Sequence, residues 1–91
     1  MFTTGIKTGT IRFSLRLSGN PRQVSVAGSF NQWTAVPMRR QRDGSYAATV
    51  AVPSGEHQYK FVVDGQWMTD PDNVACALNP YGTVNSVAKA A

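Results

Sequence analysis

Polar and apolar residues alternate with a period of two along most of this chain. In Ile11-Arg12-Phe13-Ser14-Leu15-Arg16-Leu17 the alternation is strict. It predicts a strand with Ile11, Phe13, Leu15 and Leu17 facing inward. Ser18-Gly19-Asn20-Pro21 is a turn cluster. Val24 and Val26 then alternate with Gln23 and Ser25 in a second strand, which Gly28-Ser29 ends, and Phe30-Asn31-Gln32-Trp33 opens a loop. Asp43-Gly44 is a hairpin signal, because both residue types tolerate positive φ. It joins a short strand near Met38 to Arg42 with a longer one from Ser45 to Val52, in which Tyr46, Ala48, Val50 and Val52 share a face. With a strict two-residue loop Met38 pairs with Thr49 and faces away from Tyr46; a longer turn brings it inward.

Pro53-Ser54-Gly55 turns the chain again, and His57 to Val63 is a strand with Tyr59, Phe61 and Val63 on one face. Asp64-Gly65 is a second two-residue turn and Gln66 to Thr69 returns; Pro71 to Pro80 reads as irregular, and Thr83 to Ala88 as a last short strand. No segment sustains a helical period. Roughly seven short strands separated by Gly and Pro predict an all-β, two-sheet antiparallel sandwich. The expected division is a flexible N-terminus at 1–8, the sandwich at 9–88 and a flexible C-terminus at 89–91.

The 91 residues fit one domain and leave little area for a deep catalytic cavity. With a single cysteine, Cys76, no internal disulfide is possible, and Cys76 with His57 falls short of a zinc ligand set. The start, MFTTGIKTGT, has no basic region leading into an apolar run, so no signal peptide is expected, and no apolar run approaches about 20 residues. The expectation is a cytoplasmic protein with no membrane partner, or an excised domain. The net charge of +4 is scattered except at Arg39-Arg40-Gln41-Arg42. Nucleic acid binding usually wants a whole basic face, so no nucleic-acid partner is expected.

Enzyme chemistry finds no foothold. Asp64 and the Asp70-Pro71-Asp72 run suit turns, and the oxygen ligands of a calcium loop are not spaced around them. His57 beside Glu56 reads as a solvated strand-end histidine, and Gly28 stands outside any phosphate loop. No catalytic residue, metal or cofactor is expected. The Asp64-Gly65 turn is more informative. It sets Val63 against Gln66, Val62 against Trp67 and Lys60 against Thr69, so Lys60, Val62, Trp67 and Thr69 lie together on the face opposite the core. A large indole beside an ammonium on the solvent side suits a sugar, whose C–H face stacks on the ring while the donor engages hydroxyls. By analogy with bases on aromatic rings, such a contact is worth about 1–3 kcal/mol. Two other readings are a Trp67 folded over the sandwich edge and a cation–π pair with Lys60. Composition alone puts Trp33 in the core beside Phe30.

Gly28-Ser29-Phe30-Asn31-Gln32-Trp33, the run from Pro53 to Trp67, Asp70-Pro71 and Gly82-Thr83-Val84-Asn85 resemble the glycogen-binding domain of AMP-activated protein kinase β subunits, in carbohydrate-binding module family 48. The resemblance spans about Ile11 to Val87 and is most specific from Gly55 to Trp67. It implies an immunoglobulin-like sandwich of the early-set type and a non-catalytic module that binds α-1,4-linked glucans. It further implies Trp33 and Trp67 as stacking rings, Lys60 as a hydroxyl donor, and Thr83 and Asn85 as polar contacts. Tyr81 stands where the family often has Leu against the sugar, and either stacks on a further glucose or obstructs a tightly curved ligand. The segment from Trp67 to Tyr81 is about one residue longer than usual, and Asn85-Ser86 replaces a paired Asn. The alternative function is an interaction or targeting module for a separate glucan-metabolising enzyme or kinase, since the sandwich serves many such roles.

Overall fold

The computed structural model describes residues 2–4, 9–73, 75–78 and 82–90. The strands are β1 (Phe2–Thr4), β2 (Thr10–Leu15), β3 (Val24–Gly28), β4 (Val36–Pro37), β5 (Arg39–Arg40), β6 (Tyr46–Ala51), β7 (Gly55–Val63), β8 (Gln66–Met68), β9 (Cys76–Leu78) and β10 (Val84–Ala90), with one 3₁₀ turn at Ser29–Asn31. They form two antiparallel sheets. One has the order β1-β2-β6-β5; the other has the order β4-β3-β7-β10-β9, with β8 also on β7. This is the expected sandwich, with more strands than the hydrophobic pattern reveals.

The alternating residues meet between the sheets. Ile11, Phe13 and Leu15 of β2 are enclosed, as are Val26 of β3 and Tyr59 and Phe61 of β7, while Leu17 packs against this cluster from the rim. The Phe13 ring lies 4.8 Å from Tyr59 at a 55° tilt, and 5.6 Å from a nearly parallel Phe30. Phe30 therefore plugs the open end of the core, as expected. Gly28 makes this possible: a Cβ there would collide with the Phe30 ring and come within 2.7 Å of the Gln58 carbonyl oxygen.

The Met38 question is settled by the β5–β6 turn. Arg40 pairs with Tyr46, and the Gln41 amide donates to the Ser45 carbonyl at 2.6 Å. Arg42, Asp43 and Gly44 thus make a three-residue loop, closed by the Gly44 amide on the Gln41 carbonyl at 3.0 Å, with Gly44 at φ +86°. That is the hairpin that ends on a left-handed glycine. The extra residue shifts the register, and Met38 joins the core at 7% exposure.

Two pairings depart from expectation. Cys76–Leu78, inside the segment read as irregular, is an edge strand paired with β10. Three residues between turn formers are too few to show alternation. Phe2–Thr4 forms a further strand on β2, and β10 runs past Ala88 to Ala90. Thr69 does not pair with Lys60: β8 stops at Met68, because β10 takes over the same edge of β7 from Tyr59 downward. Asp70 is turned inward at that handover. It is 3% exposed, accepts the Tyr59 hydroxyl at 2.6 Å and the Asp72 amide at 2.9 Å, and its own amide donates to Ser86 Oγ at 2.8 Å. Asn73 Nδ2 donates to the Tyr59 hydroxyl at 3.0 Å and to the Val87 carbonyl at 2.8 Å. Burial, reinforced by the bond to Asp70, holds the Tyr59 phenol well above its ordinary range.

Candidate functional site

The Asp64-Gly65 turn adopts positive φ at both residues, 49° and 83°, and sets Val62 opposite Trp67 as the two-residue loop requires. Asp64 does more than turn the chain. Its Oδ1 accepts the amides of Arg22 and Gln23, each at 2.8 Å, and so ties the hairpin tip to the entry of β3. The pairings Ala27 with Lys60, Ser25 with Val62 and Val62 with Trp67 put these residues on the outward face of the larger sheet.

Trp67 is 54% exposed on that face. Trp33 reaches it from the turn after β3. The Trp33 amide donates to the Gly28 carbonyl at 2.8 Å, and Asn31 braces the turn, its Oδ1 accepting the Gly28 amide at 3.4 Å and its Nδ2 donating to the Thr34 carbonyl at 2.8 Å. Gln32 and Trp33 both lie in the left-handed region, at φ 58° and 60°. Such a pair of non-glycine residues is uncommon and persists where surrounding bonds enforce it. The result is that Trp33 points away from the core, 36% exposed, with its ring centroid 6.4 Å from that of Trp67. Composition placed it in the core; the turn places it on the surface. The two rings are tilted by 59°, so they form an angled notch rather than a flat platform.

Lys60 lies between these elements on β7, half-buried and without an ion pair among the described residues. Thr83 is exposed at the entry to β10. Ser86 pairs with Tyr59, so Asn85 falls beside Lys60 on the same face. Asn85 is 4% exposed, however, and its Nδ2 donates to Gln58 Oε1 at 2.8 Å. That bond uses one of the two Nδ2 hydrogens, and burial limits what a sugar can reach of the rest of the amide. Tyr81 lies outside the described residues.

The groups set aside on sequence grounds are built into the frame. His57 Nε2 lies 2.9 Å from the Pro53 carbonyl and its ring meets Phe30 edge-on. Arg16 pairs with Asp43 at 3.1 Å, and Arg40 Nη1 donates to Asn20 Oδ1 at 3.5 Å. No group of three or more His, Cys, Asp or Glu able to hold a metal ion occurs among the described residues. No helix among them is long and apolar enough to cross a membrane. An open groove of about 330 Å³ between the smaller sheet and β4, lined by Arg12, Arg39, Gln41 and Thr49 with Val36 and Pro37, contains none of the indole-face residues.

Residues 11–91 match the family described as the glycogen recognition site of AMP-activated protein kinase. The chain is 42% identical over 72 residues to the kinase subunit beta-1 of Sus scrofa, covering 79% of this chain and 57% of that one. The human subunit beta-1 is also 42% identical over 72 residues, of which this chain spans 26% of the length. Subunit beta-2 of Mus musculus is 39% identical over 74 residues, covering 80% of this chain and 27% of that one. Among solved structures, a putative alpha amylase from Salmonella typhimurium superposes with a TM-score of 0.70 over 93% of this chain and 14% of its own, at 24% identity. That likeness speaks to the fold, and it falls on the same antiparallel sandwich. With the match running from β2 to the end of the chain and the indole face intact, this chain belongs to the family of glycogen recognition sites of AMP-activated protein kinase, a carbohydrate-binding module on a β-sandwich.

Proposed function

We propose that the indole face binds α-1,4-linked glucans such as glycogen, starch and maltooligosaccharides, and that the module itself carries out no chemistry. The observation behind this reading is the pair of exposed indoles 6.4 Å apart and tilted by 59°, with Lys60 on the same face. Each ring offers a flat apolar surface to the C–H face of a glucose unit, and the tilt suits a polymer whose successive units rotate along a curve. Lys60 and Thr83 supply hydroxyl contacts at the floor and the β10 side, and Asn85 lies beneath them, bonded to Gln58. A shallow open site with two stacked rings corresponds to dissociation constants from micromolar to millimolar, about −8 to −4 kcal/mol. Long and branched glucans gain by offering repeated sites. The kinase-subunit relatives support a second element of the proposal: the module targets a partner enzyme, such as a kinase, to the polymer. Cytoplasmic residence belongs to the same proposal.

The test is intrinsic tryptophan fluorescence titrated with maltoheptaose and β-cyclodextrin, with cellohexaose as control. Response to the first two alone supports the reading. Trp67→Ala is expected to abolish retention on amylose or glycogen with little change in thermal midpoint. A large loss of stability from that substitution makes Trp67 a packing residue and overturns its role in binding.

A further inference from the structure

We propose that Gln58 is a hydrogen-bonding contact of the glucan face, its amide aimed by Asn85. The inference deepens the glucan-binding reading and rests on it. Gln58 lies two residues before Lys60 on β7, so its side chain emerges on the same outward face, roughly 6–7 Å along the strand. That extends the row of polar groups beneath the two indoles by about one sugar ring. Sequence alternation reads such a residue as ordinary solvent-facing glutamine; the structure shows one held on three sides. Its backbone N–H donates to Ser29 Oγ at 3.0 Å, which fastens the strand to the turn that presents Trp33. Its backbone pairs with Val87 of β10. Its Oε1 accepts the buried Asn85 Nδ2 at 2.8 Å.

A primary amide has one acceptor end and one donor end. Asn85 occupies the acceptor end of Gln58, and the donor end, Nε2, makes no hydrogen bond among the described residues. Gln58 is half-buried, so the amide is both oriented and reachable. The arrangement leaves a fixed N–H₂ pointed away from Asn85, ready for a sugar hydroxyl. Asn85, beneath the surface, is then a positioning residue that acts through Gln58.

The experiment measures maltoheptaose affinity by tryptophan fluorescence, with thermal midpoints, for the intact chain, Gln58→Met, Asn85→Ala and the double variant. Gln58→Met keeps the length of the side chain and removes both polar atoms. It is expected to weaken binding about fivefold, and, because the buried Asn85 Nδ2 loses its acceptor, to lower the midpoint by about 5 °C. If Asn85 works through Gln58, the double variant binds within about twofold of Gln58→Met alone. Should Asn85→Ala fail to fold, the side-chain amide signals of Gln58 in a nitrogen–proton correlation spectrum decide the matter: maltoheptaose shifts them if Nε2 meets sugar. Affinity of Gln58→Met within twofold of the parent, or unshifted amide signals, overturns the contact; multiplicative losses in the double variant overturn the positioning role. An intact chain that ignores maltoheptaose defeats the underlying glucan reading instead, a result visible before any variant is made.

Discussion

Tyr59→Phe removes one oxygen from the centre of the sandwich and tests what holds β8, β10 and the Asp70 segment together. In the parent the hydroxyl donates to Asp70 Oδ2 at 2.6 Å and accepts from Asn73 Nδ2 at 3.0 Å. The phenylalanine ring keeps the packing against Phe13 and Phe61, whose centroids lie 4.8 and 5.7 Å away. The loss is therefore polar. Asn73 retains its bond to the Val87 carbonyl, but Asp70 Oδ2 keeps its burial and loses the Tyr59 hydroxyl. A hydrogen bond to a carboxylate contributes about 1.5–3 kcal/mol, and the expected loss lies in that range. For a domain of this size that corresponds to a fall of about 10–20 °C in the thermal midpoint. Urea unfolding followed by circular dichroism gives the free energy directly. The pH profile supplies an independent check. The folded phenol is held above its ordinary range by burial and the Asp70 bond, so it keeps its proton where the unfolded chain releases it. Its contribution is complete below about pH 10 and is lost as the pH rises further. The parent should thus weaken above about pH 10 more steeply than Tyr59→Phe. A variant within about 0.5 kcal/mol of the parent, or one with the same alkaline slope, refutes the account of this network.

The core end beneath the Trp33 turn should be as sensitive. Gly28→Ala drives a methyl group into the Phe30 ring and toward the Gln58 carbonyl, a backbone atom with little room to yield, so a loss of about 1–3 kcal/mol is expected. Because Phe30 opens the turn that carries Trp33, glucan affinity should fall as well; thermal scans and fluorescence titration read the two effects separately. Met38→Ala tests the register of the β5–β6 hairpin. Met38 is 7% exposed in the core, so the substitution should cost about 2–3 kcal/mol in urea unfolding, whereas a neutral result returns the turn to two residues.

What could be seen in the sequence follows from how local each determinant is. The β7–β8 register is legible because a two-residue Asp-Gly turn fixes it without outside help, and it carries Trp67 and Lys60 to one face. The sandwich is legible because β2, β6 and β7 are long enough to show alternation. The β5–β6 turn admits two registers, and burial of Met38 decides between them. β9 is too short to announce itself and exists through its pairing with β10. Trp33 is the clearest miss for composition: an indole next to Phe30 looks like core, and the left-handed backbone at Gln32 and Trp33 sends it outward. The inward turn of Asp70, the grip of Asp64 on Arg22 and Gln23, and the bond from Asn85 to Gln58 join residues far apart in the chain, and no local pattern encodes them.

One edge of β7 is shared end to end by two strands, β8 against its last residues and β10 against its first. The stretch of chain between them leaves that edge and comes back to it, like a loop of rope tied at both ends to the same rail. Asp70, Asn73 and β9 pin parts of this excursion to Tyr59 and β10, so changes that spare them leave both knots in place. Variation elsewhere in the excursion's length or composition can then alter the surroundings of the site while Trp67 and Asn85 keep their seats. A lineage can in this way retune which polysaccharide it favours without refolding its scaffold.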